Sequence, residues 1–89
     1  MASWHNEDTN ELCRAILSLK TGEECYAFFD DALRIKEVID IAQRLKVAKM
    51  LAEGVSYNVI SKETNVSTAT ISRVSKCLEY GNGGYKTVL

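Results

Sequence analysis

The 89-residue sequence contains no proline, five glycines, three cysteines and a single histidine. It also has no apolar run near the roughly 18 residues that a membrane-spanning helix needs. Collagenous, low-complexity and transmembrane chains are therefore excluded by composition, and a soluble globular chain is expected. Cys13, Cys25 and Cys77 are separated by 12 and 52 residues. A zinc site gathers about four ligands at short spacings, so no metal is expected. Three thiols cannot all pair within one chain, and in a reducing compartment each serves as a small apolar residue. The first eight residues lack a basic stretch followed by an apolar one, which points away from export and toward the cytoplasm. There is no positioned histidine, no G-x-S-x-G, no P-loop and no carboxylate pair suited to a cleft, so an enzyme is not expected. The run from Gly81 to Gly84 has the wrong spacing for a nucleotide-binding fingerprint and reads as a loop. RNA is not the expected target, because no aromatic stacking platform or phosphate-cradling glycine loop is visible.

What is present is 46% hydrophobic and 26% charged residues, enough for one small domain spanning residues 1–89. A domain of this size hides only about 60 to 65% of its unfolded surface, so a partner subunit would help. The formal net charge of -1 conceals an asymmetry. Residues 1–43 carry nine acids against four bases, whereas residues 44–89 carry seven bases against three acids. The second half can meet phosphate, although such a layout is also common on solvated helices.

Apolar periodicity divides the chain into helices. Leu12, Ile16 and Leu19 predict a first helix over 10–20, preceded by a polar, frayed stretch at 6–9; Trp4 and His5 sit in this tail, where His5 is expected to be exposed and not catalytic. Thr21 and Glu24 fit a capping box that opens a second helix, with Cys25, Phe28, Phe29, Ala32 and Leu33 on its apolar face. A third series, Ile35, Val38, Ile39, Ala42, Leu45, Ala48 and Ala52, stops at Glu53-Gly54, where glycine suits a helix end. This third helix also carries Ile41, Val47, Met50 and Leu51. Two apolar faces need two partners, and in so short a chain the second is expected to be another copy. Residues 10–53 are thus read as a dimerisation core and 81–89 as a tail that docks or trails.

Residues 56–79 carry the function. Two short helical patterns are separated by three or four residues, with Ser56 and Ser67 as N-caps. Counted from Tyr57, the fifth residue is the small Ser61, which allows close crossing. The ninth is Asn65, which tolerates a left-handed turn. Ile60, Val66, Ile71 and Val74 would pin the helices together, and Thr64 stands where an apolar residue is usual. This spacing is that of a helix-turn-helix. In such a unit the second helix lies in the major groove with its N-terminal residues on base edges. Those residues are Thr68, Ala69, Thr70, Ser72 and Arg73: hydroxyls can bond bases or phosphates, methyl groups can pack on thymine, and arginine can take guanine bidentately. Lys62 and Lys76 suit phosphate, or plain surface. Tyr57 and Ser61 complete the expected DNA-facing set. The structural alternative is a Ser/Thr-rich solvated helix in a purely structural hairpin.

Ala42 to Leu51, Ser67 to Arg73 and Cys77 to Gly81 together resemble the Trp repressor superfamily, in particular its members of the YerC/YecD type. Leu19 to Cys25 and Ala27 to Asp31 resemble that subgroup as well, so the similarity covers nearly the whole chain. Arg34 departs from the helix-capping threonine common there, which leaves the start of the third helix open. The resemblance implies an all-α, intertwined homodimer whose N-terminal helices form the core and whose helix-turn-helix heads bind a pseudo-palindromic operator in double-stranded DNA. Contacts would be largely water-mediated, the Trp repressor being a known case. The expected function is a sequence-specific transcriptional regulator, a repressor; the alternative is a dimeric helical protein-interaction module without DNA binding.

The resemblance also implies an effector site. In the repressor, tryptophan is held partly by two arginines, which Arg44 and Arg73 match. A glycine follows the second one there, whereas this chain has Val74, and Cys77 replaces a ligand-facing serine. A packed junction is expected in place of the slot, with no cofactor required and neither tryptophan nor another small effector needed. Arg44 is expected in an ion pair, within the chain or across subunits.

Overall fold

In the computed structural model, which describes residues 3–89, six helices follow one another: α1 (Glu7–Leu17), α2 (Gly22–Ala32), α3 (Ile35–Ala52), α4 (Tyr57–Thr64), α5 (Thr68–Tyr80) and α6 (Gly84–Val88). The described residues contain no strand. The chain divides into two compact units, one ending at Ile35 and the other running from Lys36 to Leu89. The division falls inside the 10–53 stretch read from sequence as one core.

In the first unit, α1 starts three residues earlier than its apolar spacing predicts, and 6–9 is not frayed. Asn6 caps the helix: its side-chain oxygen accepts from the Thr9 N–H at 3.0 Å, while the Thr9 hydroxyl accepts from the Asn6 N–H at 2.9 Å. Two of the N–H groups that a helix start leaves unpaired are thereby satisfied. The helix stops at Leu17, short of Lys20; the N–H of Ser18 closes the last turn on Arg14 and its hydroxyl donates to the Ala15 carbonyl at 2.6 Å. Thr21 caps α2 as expected, accepting from the Glu24 N–H at 3.1 Å. The return half of the box is displaced by one residue, because the Glu24 carboxylate accepts from the N–H of Lys20 at 2.7 Å. Cys25, Phe28 and Phe29 are half-buried, with the two rings 6.2 Å apart, but no residue of α1 or α2 is fully buried.

The second unit has a core. Val47 and Ala48 of α3, Ile60 of α4, and Ile71 and Val74 of α5 form one buried cluster, flanked by Met50, Leu51, Val55, Val66, Leu78 and Tyr85. The other faces of α3 remain open, with Ile39 and Ile41 each about half exposed. The helix begins at Ile35 despite Arg34 before it. At its end, Gly54 takes φ +84°, the N–H of Gly54 bonds to the Leu51 carbonyl and that of Val55 to the Met50 carbonyl. This pair of bonds is a Schellman closure, whose left-handed residue favours glycine. α6 is a further helix where a tail was expected. Gly83 at φ +80° turns the chain into it, and Tyr85 packs on the cluster.

Candidate nucleic-acid interface

α4 and α5 are joined by the three residues 65–67. Ser56 caps α4 by accepting from the Val59 N–H at 3.3 Å, and Ser67 caps α5 by accepting from the Thr70 N–H at 3.2 Å. Asn65 adopts φ 62° and ψ 17°, the left-handed conformation that a tight exit from α4 demands. Asparagine is one of the few non-glycine residues that visits it routinely. Ile60 and Ile71 are fully buried and Val74 nearly so, which pins the two helices by the residues expected to do it. Val66 is half-buried against them.

With that face fixed, the opposite one is determined. Thr68, Ala69, Arg73 and Lys76 are exposed on α5, Tyr57 and Lys62 are exposed on α4, and Thr70 and Ser72 are half-buried. None of the exposed four on α5 is tied to another side chain by a hydrogen bond or ion pair among the described residues, so all four are available to a ligand. Thr70 is different: its hydroxyl accepts from the Ser67 hydroxyl at 3.1 Å, which makes it part of the helix cap. Ser61 is also engaged inside the unit, donating its hydroxyl proton to the Val66 carbonyl at 2.9 Å. α5 is thirteen residues long, and its first N–H groups lie at the exposed end beside Thr68 and Ala69. A helix start of this kind carries a partial positive charge that favours phosphate.

The residues matched to an effector site do come together. Arg44, Arg73, Val74 and Cys77 line a cleft of about 500 Å³, together with Asp40 and Gln43 of α3, Asn65, Val66, Ser67 and Thr70 of the turn and α5, and Tyr85 of α6. Val74 turns its side chain into the core beside this cleft. Arg44 is exposed and makes no ion pair among the described residues, contrary to an intrachain pairing. Asp40, one turn before it, is bonded to Lys36 at 3.2 Å. Sequence reasoning missed Tyr85 as part of this wall. The available signal was the apolar spacing of Tyr85, Val88 and Leu89 after a Gly-Gly pair. No group of three or more His, Cys, Asp or Glu side chains is placed to hold a metal ion among the described residues, and none of their helices is long and apolar enough to cross a membrane.

Comparison with known proteins agrees with the all-helical fold. A family model described as Trp repressor protein matches residues 7–89. The uncharacterized protein YerC of Bacillus subtilis (strain 168) is 54% identical over 83 residues, covering 93% of this chain and 80% of its own. A TrpR-like protein from Eubacterium eligens ATCC 27750 superposes with a TM-score of 0.90 at 48% identity, covering 93% of this chain and 86% of that one. The crystal structure of a candidate Trp repressor from Staphylococcus aureus gives a TM-score of 0.90 at 46% identity, covering 96% and 85%. With the match extending over nearly the whole chain, the protein belongs to the Trp repressor family.

Proposed function

We propose that this chain is a sequence-specific regulator that binds double-stranded DNA as a homodimer through the helix-turn-helix of α4 and α5, and that its output is repression. The observation that carries the reading is the outward face of α5. Thr68, Ala69, Arg73 and Lys76 stand exposed at and beyond the helix start while Ile71 and Val74 are held in the core. A helix anchored on one side and lined with hydroxyl, methyl and guanidinium groups on the other has the chemistry for base edges. Lys62 and Lys76 supply phosphate contacts. Membership of the Trp repressor family supports the same reading.

The homodimer is supported by apolar surface that one chain leaves uncovered: Leu12, Ile16 and Leu17 on α1, and Ile35, Ile39, Ile41 and Leu45 on α3. A second copy would bury these side chains and present two α5 helices to half-sites about 34 Å apart on a pseudo-palindromic operator. The protein works in the cytoplasm, with the DNA. It needs no free tryptophan, because Val74 is a branched side chain fixed in the core at a position where the repressor has glycine.

Fluorescence anisotropy on random and selected duplexes tests the reading. Binding is expected, with affinity falling steeply as salt rises, because phosphate contacts release counterions. Absence of binding at low salt would overturn it.

A further inference from the structure

Val66 belongs to neither helix of the DNA-reading unit. The α4 ladder ends with the Asn65 N–H on the Ser61 carbonyl at 2.9 Å, and the α5 ladder begins with the Ile71 N–H on the Ser67 carbonyl at 3.1 Å. The two backbone polar groups of Val66 are left for side chains to satisfy, and two hydroxyls of α4 do so. The Ser61 hydroxyl donates to the Val66 carbonyl at 2.9 Å, and the Thr64 hydroxyl accepts from the Val66 N–H at 3.3 Å. Each hydroxyl has one proton. Ser61 spends its proton forward on the turn; Thr64 spends its own backward on the Ile60 carbonyl at 2.6 Å, which leaves its lone pairs for Val66. Meanwhile the Val66 side chain packs on the buried cluster. The residue is held at its side chain, its N–H and its C=O at once.

We propose that Ser61 and Thr64 form a two-hydroxyl clasp on Val66 that sets the orientation of α5, making them positioning residues for base reading. The inference rests on the DNA-binding function proposed above. Only Ser67, the α5 cap, separates Val66 from Thr68, so a rotation of the Val66 carbonyl passes straight to the end of α5 that would face the bases. Hydrogen bonds to base edges tolerate little misplacement, because they weaken steeply as distance and angle depart from ideal. Contacts to phosphate from flexible lysines tolerate much more. Thr64 is therefore no poor stand-in for the apolar residue usual at its position: it exchanges packing for a directional lock.

The test uses Thr64→Val, which keeps the shape, removes the hydroxyl and restores the apolar type; Thr64→Ser, which keeps the hydroxyl; and Ser61→Ala. Each is measured by anisotropy on the selected operator and on random duplex, with hydrogen exchange at the Val66 amide as a readout independent of DNA. Thr64→Val is expected to weaken operator binding about tenfold, the value of one good hydrogen bond. It should leave random-duplex binding and its salt slope within about twofold, and speed exchange at Val66. Thr64→Ser should recover most of the operator affinity, and Ser61→Ala should repeat the selective loss. Wild-type operator affinity in Thr64→Val, equal losses on both duplexes, or no recovery with serine would each overturn the clasp. If the wild type binds no DNA, the functional reading fails and the positioning role falls with it; unchanged Val66 exchange in Thr64→Val would by itself overturn the clasp.

Discussion

Arg73 and Val74 are adjacent on α5, yet one is exposed and the other is 2% exposed. That single step around the helix separates a residue able to touch a ligand from one committed to the core. Replacing Arg73 with alanine should cost about 1 to 3 kcal/mol of operator binding if it takes a guanine bidentately. The helical content and assembly state should not change; operator titrations with circular dichroism check both, and undiminished operator affinity would contradict the role. Val74 makes the opposite prediction. Calorimetric titration of the wild type with tryptophan should give no saturable micromolar site, and finding one would reverse the assignment. At this scale much was legible. Asn65 was readable as a left-handed turn residue because few side chains tolerate that conformation. The engagement of Ser61 and Thr64 was not, because a hydroxyl in sequence does not declare which carbonyl it will meet.

Among the helices, the starts of α4 and α5 were readable to the residue because each is preceded by a serine whose side chain accepts from the N–H three positions on. Removing the Ser67 hydroxyl by substitution with alanine should lower stability by about 1 kcal/mol, the usual value of an N-cap, and urea unfolding will measure it. The start of α1 was misplaced because its box pairs asparagine with threonine, a combination less conspicuous than serine or threonine followed by glutamate. α6 was left open for a different reason. Five residues form no stable helix alone, so its existence depends on the packing of Tyr85 against the buried cluster. Truncating Tyr85 to alanine should therefore cost about 1 to 2 kcal/mol by lost apolar burial. A chain of unchanged stability would show that α6 stands without this contact.

For the molecule as a whole, the distribution of apolar surface matters more than its amount. The second unit closes a small core by itself, whereas no residue of α1 or α2 is fully buried. Periodicity announced surplus apolar faces but could not say which of them a single chain would cover. Sedimentation equilibrium should find a dimer at micromolar concentration, and Ile39→Asp, placing a charge on an exposed apolar position of α3, should shift it toward monomer by at least about tenfold, since a buried unpaired charge costs several kcal/mol. A monomeric wild type would remove the partner from the proposal.

The bare apolar flank of α1 also bears on how long each copy survives. Under the proposed pairing, a newly made chain still without a second copy would offer proteases a helix with no fully buried residue, ending in Leu17 at 83% exposure. Digestion should therefore be fast for dilute chains and slow for concentrated ones. Association linked to folding in this way would set a floor beneath which an orphan chain is cleared.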